Sequence, residues 1–168
     1  MAEASRKPGS RERVRDFLAS HGLAEQIVEF EQSTKTAAQA AEAMGCELGQ
    51  IVKSLAVMVD GTQPALALVA GDRRGDLAAV AGLLGGAKAK MADADTVRAV
   101  TGYAIGGVSP FDLPQDLPVL VDDSLERFEI VFPAAGTPAS MVRLEREFLV
   151  DLVGGRVARI SLPFESQP

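Results

Sequence analysis

The sequence predicts a mixed α+β fold, a barrel-like β-sheet surrounded by helices, on three observations. Strand-like segments outnumber what a simple βαβ alternation needs. Several neighbouring strands are joined by hairpin signals, of which Asp60-Gly61 is the clearest. The 168 residues are 47% hydrophobic and 24% charged, which suits one domain with a proper core. With 7 Phe, 1 Tyr and no Trp, that core has to be built from small aliphatic side chains.

In chain order, residues 1–9 read as a disordered start and 10–165 as a single domain. Ser10 can cap a helix running to His21, because Val14, Phe17, Leu18 and His21 share one helical face. Gln26 to Phe30 reads as a short strand. Thr36-Ala37-Ala38-Gln39 matches a capping box, so a helix runs to Met44 and stops at Gly45. Gly49 to Val59 is an apolar, β-branched strand, and Pro64 to Ala70 returns after the Asp60-Gly61 turn. Helices are expected over Asp76–Leu84 and from Asp93 or Asp95 to Thr101, with a short strand Lys88–Met91 between them. Gly102 to Phe111 is glycine-rich and closed by Pro110, a rigid irregular loop. A strand over Val119–Asp122 and a helical turn from Ser124 follow. Glu129–Phe132 and Ser140–Leu144 read as a hairpin, Glu145–Val153 as a helix stopped by Gly154-Gly155, and Val157–Ile160 as the last strand.

Several function classes drop out. The net charge of −6 argues against tight non-specific nucleic-acid binding, which needs basic surface to displace counterions. It leaves room for recognition of a small part of a nucleic acid. Residues 1–10 have no apolar h-region, and no apolar run approaches ~18 residues, so neither a secretory signal nor a membrane span is expected. One cysteine, Cys46, forbids an internal disulfide, and a cytoplasmic setting fits. Cys46 reads as a small buried thiol and the lone His21 as structural. With one His and one Cys, no zinc site of the usual kind is expected. Asp122-Asp123 and Asp93/Asp95 could hold magnesium, but acidic helix starts explain them equally well. No cofactor is expected.

The strand over residues 49–59 carries the one residue that breaks the pattern. Ile51, Lys53, Leu55, Val57 and Val59 share a face, so Lys53 stands among bulky apolar neighbours. Burying an unpaired ammonium is costly. Either its stem snorkels to water, or the ammonium lines a polar pocket and waits for an anion. The loop Gly106-Gly107-Val108-Ser109-Pro110 is neither a Walker loop nor GxGxxG. It is a plain tight turn, or a place where backbone N–H groups approach a ligand and orient a carbonyl or oxyanion. Arg73-Arg74, Lys88, Lys90 and Arg98 form a loose basic group, either a solvated surface or a phosphate-contacting rim.

Taken together, Gly49-Gln50-Ile51-Val52-Lys53-Ser54-Leu55, Asp76-Leu77, Thr101 to Pro110, Val121-Asp122-Asp123-Ser124-Leu125 and Ala135-Gly136-Thr137 resemble, in order and spacing, the YbaK/EbsC family. These are aminoacyl-tRNA deacylases related to the editing (insertion) domain of prolyl-tRNA synthetase. The resemblance runs from about Glu29 to Leu152, with no synthetase body around it. It implies a free-standing hydrolase that cleaves the ester between a mischarged small amino acid and the 3′-terminal adenosine of tRNA. The partners it implies are the tRNA acceptor end and prolyl-tRNA synthetase, with no membrane. The family's characteristic lysine falls on Lys53 and its GxxxP loop on Gly106 to Pro110. Lys53, Gly106 and Gly107 are thereby the expected catalytic groups, and Thr34, Ser54, Val108, Ser109, Pro110 and Gly136 the expected substrate contacts. An aminoacyl ester is already activated, so a bound water and a placed carbonyl suffice without a Ser, Cys or His nucleophile. The position after the lysine, often Thr in the family, is Ser54. The Ala135-Gly136-Thr137-Pro138 turn lacks the basic Gly-Lys-Arg-Gly character of the cysteine-clearing branch, which points to Ala or another small side chain on tRNA(Pro). The rival is a non-catalytic module that binds an aminoacyl-adenosine or nucleotide end without hydrolysis.

Overall fold

The computed structural model describes residues 9–114 and 116–164, so the start expected to be disordered lies, Gly9 apart, outside the described residues. Helix α1 (Ser10–Ala19) buries Val14 and Leu18 completely. Gly9, not Ser10, takes the capping position, and the helix ends before His21. That leaves His21 exposed, its Nδ1 2.9 Å from the Phe17 carbonyl. Strand β1 (Ile27–Glu29) follows. Helix α2 (Ala37–Met44) begins where Thr36 Oγ1 accepts the Gln39 N–H at 3.1 Å, and Gln39 Oε1 accepts the Lys35 N–H at 2.7 Å. Gly45 ends it at φ 67°, the left-handed stop expected of glycine.

Strands β2 (Ile51–Val59) and β3 (Gln63–Ala70) form the expected hairpin. A short strand β4 (Arg73–Gly75) comes next, then α3 (Leu77–Leu83), capped by Asp76 accepting the Ala79 N–H. Strand β5 (Ala89–Met91) and α4 (Ala94–Thr101), capped by Asp93, lead into the glycine-rich loop. After it come β6 (Val119–Asp122), a 3-10 turn (Asp123–Arg127), β7 (Ile130–Pro133), β8 (Ser140–Val142) and β9 (Leu144–Glu145). Helix α5 (Arg146–Val153) stops at left-handed Gly154 and is followed by β10 (Arg156–Ala158) and β11 (Ser161–Pro163).

The main sheet runs β10-β6-β3-β2-β7-β9, with β5 also against β2. Both of its faces are covered, which is why β3 reads as an unbroken apolar run. Leu66, Leu68 and Ala70 enter a core with Val14, Leu18, Val97, Tyr103, Phe111 and Leu149. Ala65, Ala67 and Val69 enter a second core with Val57, Val80, Leu120 and Ile160. The architecture is the mixed α+β fold expected, with a curled half-barrel sheet.

The hairpin expected around residues 135–138 forms: Ile130 and Val131 of β7 pair with β9, and an Ala134↔Met141 bridge and the Ala135 N–H on the Ser140 carbonyl (3.2 Å) carry the same register toward the turn, while β8 also pairs with β1. Two local expectations change. The single last strand becomes two, β10 beside β6 and β11 beside β4, with buried Ile160 between them. And β4 itself, read from sequence as part of a basic surface group, is a strand only because β11 lies against it.

Candidate active site

The site lies at a gap in the sheet. On one edge, β2 pairs with β3 along its whole length, from Val52↔Ala70 to Val59↔Gln63. On the other edge β7 reaches only Ile51 and Val52, and β5 only Val57 to Val59. The Ala92 N–H donates to the Ala56 carbonyl at 3.0 Å, so residues 53–55 are left facing open space there. Main-chain directions alternate along an antiparallel ladder. The Gly71 N–H donates to the Ile51 carbonyl at 2.7 Å, so Ile51, Lys53 and Leu55 turn their main chain to β3. Ser54 turns its N–H and C=O into the gap, with no residue of β5 or β7 opposite. Its Oγ is buried without a hydrogen-bond partner among the described residues.

A cleft of about 380 Å³ occupies this gap. Its buried walls are apolar, including Ala40, Ile51, Ala56, Val97 and Met141. Exposed Met91 and Ile105 stand at its rim, and Thr34, Lys35, Lys53, Ser54 and Thr36 supply its polar atoms. Lys53 is half-buried. Its Nζ donates to the Arg73 carbonyl and stands 5.3 Å from the centroid of the Phe164 ring. Burial lowers the Lys53 pKa below the ordinary lysine value, and the Asp72 carboxylate opposes that shift. Asp72 is itself gripped by Arg127 through two N–H bonds of 2.8 and 2.9 Å. Those bonds hold the Asp72 carboxyl below the usual carboxylate range, against a smaller upward push from desolvation.

The expected residues divide into wall and support. Lys53, Ser54, Gly106, Val108 and Thr34 line the cleft. Gly106 sits at φ 93°, a conformation that favours glycine. Gly107 is outside the cleft lining. Its N–H donates to the Ala104 carbonyl at 3.0 Å, so that donor is engaged within the loop. A Cβ on Gly107 would lie 3.0 Å from both the Gly136 oxygen and the Thr137 Cα, so its lack of a side chain serves loop-to-loop packing. Ser109, Pro110 and Gly136 are buried behind the wall and are absent from the cleft lining. Ser109 Oγ accepts the Phe111 N–H at 3.4 Å. Thr34 donates both its N–H (2.8 Å) and its hydroxyl (3.0 Å) to the Pro138 carbonyl, fastening the 136–138 turn to the cleft.

The basic group is not assembled at the cleft. Arg73 turns inward, its Nε 3.0 Å from Ser161 Oγ, and Lys88, Lys90 and Arg98 are outside the lining. Lys35 is there instead. Sequence reasoning missed Lys35, Met91, Ala92, Val97 and Ile105. Nothing local marks Met91, Ala92 and Val97, because β5 and α4 reach the cleft only by packing back onto β2. His21 and Cys46 are likewise outside the lining, and burial pushes the Cys46 thiol up, away from a reactive thiolate. Asp93 and Asp122 are engaged as caps, of α4 and of the 3-10 turn.

Comparison with known proteins places this arrangement. The model of the aminoacyl-tRNA editing domain matches residues 31–152. YwhH of Bacillus subtilis (strain 168) is 40% identical over 131 residues, 78% of this chain and 83% of its own length. The multifunctional Ser/Thr-tRNA deacylase ProXp-y of Escherichia coli (strain K12) is 31% identical over 154 residues, 89% of this chain and 92% of its own. A crystal structure of a proposed trans-editing enzyme for prolyl-tRNA synthetase superposes with a TM-score of 0.84 at 38% identity, covering 93% of this chain and 99% of its own. The chain thus shares both fold and sequence with these proteins, and it belongs to the aminoacyl-tRNA editing domain family.

Proposed function

We propose that this chain hydrolyses the ester joining a small amino acid, Ala in the first place, to the 3′-terminal adenosine of tRNA(Pro), as a free-standing editing enzyme. Its family makes it an aminoacyl-tRNA deacylase. One observation carries the finer reading: a half-buried lysine stands at the open edge of β2, beside a small cleft with apolar walls. No His or Cys lines that cleft, so neither an imidazole base nor a thiolate is placed there to form a covalent intermediate. Water adds to the ester carbonyl, the carbon–oxygen bond to the ribose breaks, and a proton passes to the departing 3′-oxygen. The substrate's own ribose hydroxyl can carry that proton. Lys53 supplies positive charge for the oxyanion or the terminal phosphate, and Ser54, Gly106 and Val108 shape the seat of the ester. Groups placed in this way are worth about 3–4 kcal/mol per donor.

Residues 10–165 are proposed as one editing domain working in the cytoplasm, where tRNA is charged, with prolyl-tRNA synthetase as the source of mischarged tRNA. No helix among the described residues is long and apolar enough to cross a membrane. A second reading of the substrate rests on Ser54. Its partnerless buried Oγ would reward a hydroxylated side chain, and a site built to hydrogen-bond a hydroxyl discriminates better than an apolar one. Serine is then the alternative amino acid, and the likeness to ProXp-y supports it.

The test is a deacylation panel of Ala-, Ser-, Cys- and Pro-tRNA(Pro) with wild type and Lys53→Ala, with and without EDTA. Clearance of one mischarged tRNA, sparing of Pro-tRNA(Pro), indifference to EDTA and an inactive Lys53→Ala variant are expected. A folded wild type that clears none of the panel would overturn the tRNA(Pro) reading. If it binds those ends without turnover, the chain is a binding module.

A further inference from the structure

Asp122 is a fully buried carboxylate that the chemistry above does not use. It is also the hub of a chain of hydrogen bonds that ends on Lys53. Asp122 Oδ1 accepts the Ile160 N–H at 2.9 Å. Asp122 Oδ2 accepts the Ser161 hydroxyl at 2.7 Å, the Ser124 N–H at 3.2 Å and the Ser124 hydroxyl. With its proton given to Asp122, Ser161 Oγ turns a lone pair outward and accepts Arg73 Nε at 3.0 Å. Arg73 in turn accepts Lys53 Nζ on its carbonyl.

The register explains why that carbonyl is available. The Asp76 N–H donates to the Ile160 carbonyl at 2.8 Å. Along β4 and β11 the bonded positions therefore alternate as Asp76 and Arg74, and the Arg73 main chain points away from β11. The same strand carries Phe164 to within 5.3 Å of Nζ. So β11, fixed by Asp122 through Ser161, sets both groups that hold the ammonium. We propose that Asp122 and Ser161 are positioning residues for Lys53, acting through Arg73. A simple tie for the C-terminal strand would need the bonds to Ile160 and Ser161. It would not need Arg73 drawn inward from a basic surface, nor its carbonyl placed on the Lys53 ammonium at the cleft.

The inference rests on Lys53 working as proposed above, and the test keeps the two apart. Ser161→Ala cuts the chain between Asp122 and Arg73 with little change of volume. Arg73→Ala cuts it again while leaving the carbonyl, should Ser161→Ala fail to fold. Leu162→Ala loosens β11 at a half-exposed position outside the chain and serves as the control. Two quantities are read: kcat and KM for the tRNA cleared by wild type, and the ¹⁵N signal and titration of Lys53 Nζ in lysine-labelled protein. Ser161→Ala and Arg73→Ala should lower kcat about fivefold, the scale of one hydrogen bond, with KM unchanged, and should move the Lys53 signal. Leu162→Ala should do neither. A folded Ser161→Ala or Arg73→Ala variant with wild-type kcat and an unmoved Lys53 signal overturns the proposal, as does a Leu162→Ala variant with the same losses. If wild type clears no tRNA, the deacylase reading fails by itself, and the Lys53 signal alone decides whether the chain positions the ammonium.

Discussion

Lys53 is an ammonium kept where water is scarce, and its behaviour follows from that. Its folded pKa lies below 10.5 because desolvation penalises the charged form more than Asp72 supports it. Below the folded value, the charged residue costs stability in full. As pH rises from the folded value toward 10.5, the unfolded chain holds more protons than the folded one, so that cost is recovered. Lys53→Met removes the charge and its desolvation together but leaves the Arg73 carbonyl without its donor. The variant should stay within about 1 kcal/mol of wild type in a denaturant melt at neutral pH, with deacylation abolished. The wild-type rate should fall on an alkaline limb whose midpoint lies below 10.5, since only the ammonium can hold negative charge. A rate flat through that range would show that Lys53 works uncharged or not at all.

Among the elements, the two glycine loops support each other, and substitutions separate wall from scaffold. Gly136 sits at φ 95°, and a Cβ there would meet the Ser10 oxygen at 2.6 Å and Val14 Cγ2 at 3.1 Å. Gly136→Ala thus combines backbone strain with a clash against α1, and should cost about 2–3 kcal/mol in urea unfolding. Gly106 has a similar φ of 93°, but the nearest atom to its Cβ is Pro138 Cγ at 3.8 Å. Gly106→Ala should cost only about 1 kcal/mol and show its larger effect in kcat, because the strain is borne by the cleft wall. If the two variants lose stability equally, the division between wall and scaffold is wrong.

At the scale of the molecule, a net charge of −6 works against a polyanionic substrate. Among the described residues, only Lys35 and Lys53 offer ammonium groups to the cleft, so few phosphates are engaged there. Single-stranded ends release about 0.7 counterion per phosphate contacted. A plot of log KM against log salt should therefore have a slope near 1.4, and Lys35→Ala should lower it by about 0.7. A slope several times steeper would mean that surface cations such as Lys88, Lys90 and Arg98 grip the tRNA body. Weak electrostatic capture also fits an enzyme that takes its substrate close to where it is made, as proposed for prolyl-tRNA synthetase.

Sequence by itself determined what depends on neighbours along the chain. The Asp60-Gly61 hairpin, the Thr36 and Asp93 caps, the glycine stop at Gly45 and the apolar run of β3 all follow from local backbone and side-chain chemistry. It also singled out Lys53, because one charge in an apolar strand is anomalous wherever the strand lies. Tertiary structure decided what depends on distant pairing. The gap beside Ser54 exists because β5 and β7 each stop short on β2, and no local signal encodes where two remote strands end. The strand character of β4, the inward turn of Arg73 and the link from Asp122 to Lys53 all wait on β11, some ninety residues later in the chain. Gly107 shows the same division: the sequence left a tight turn or a backbone approach to a ligand open, and only the packed loops bring Gly136 and Thr137 into the space a side chain would fill.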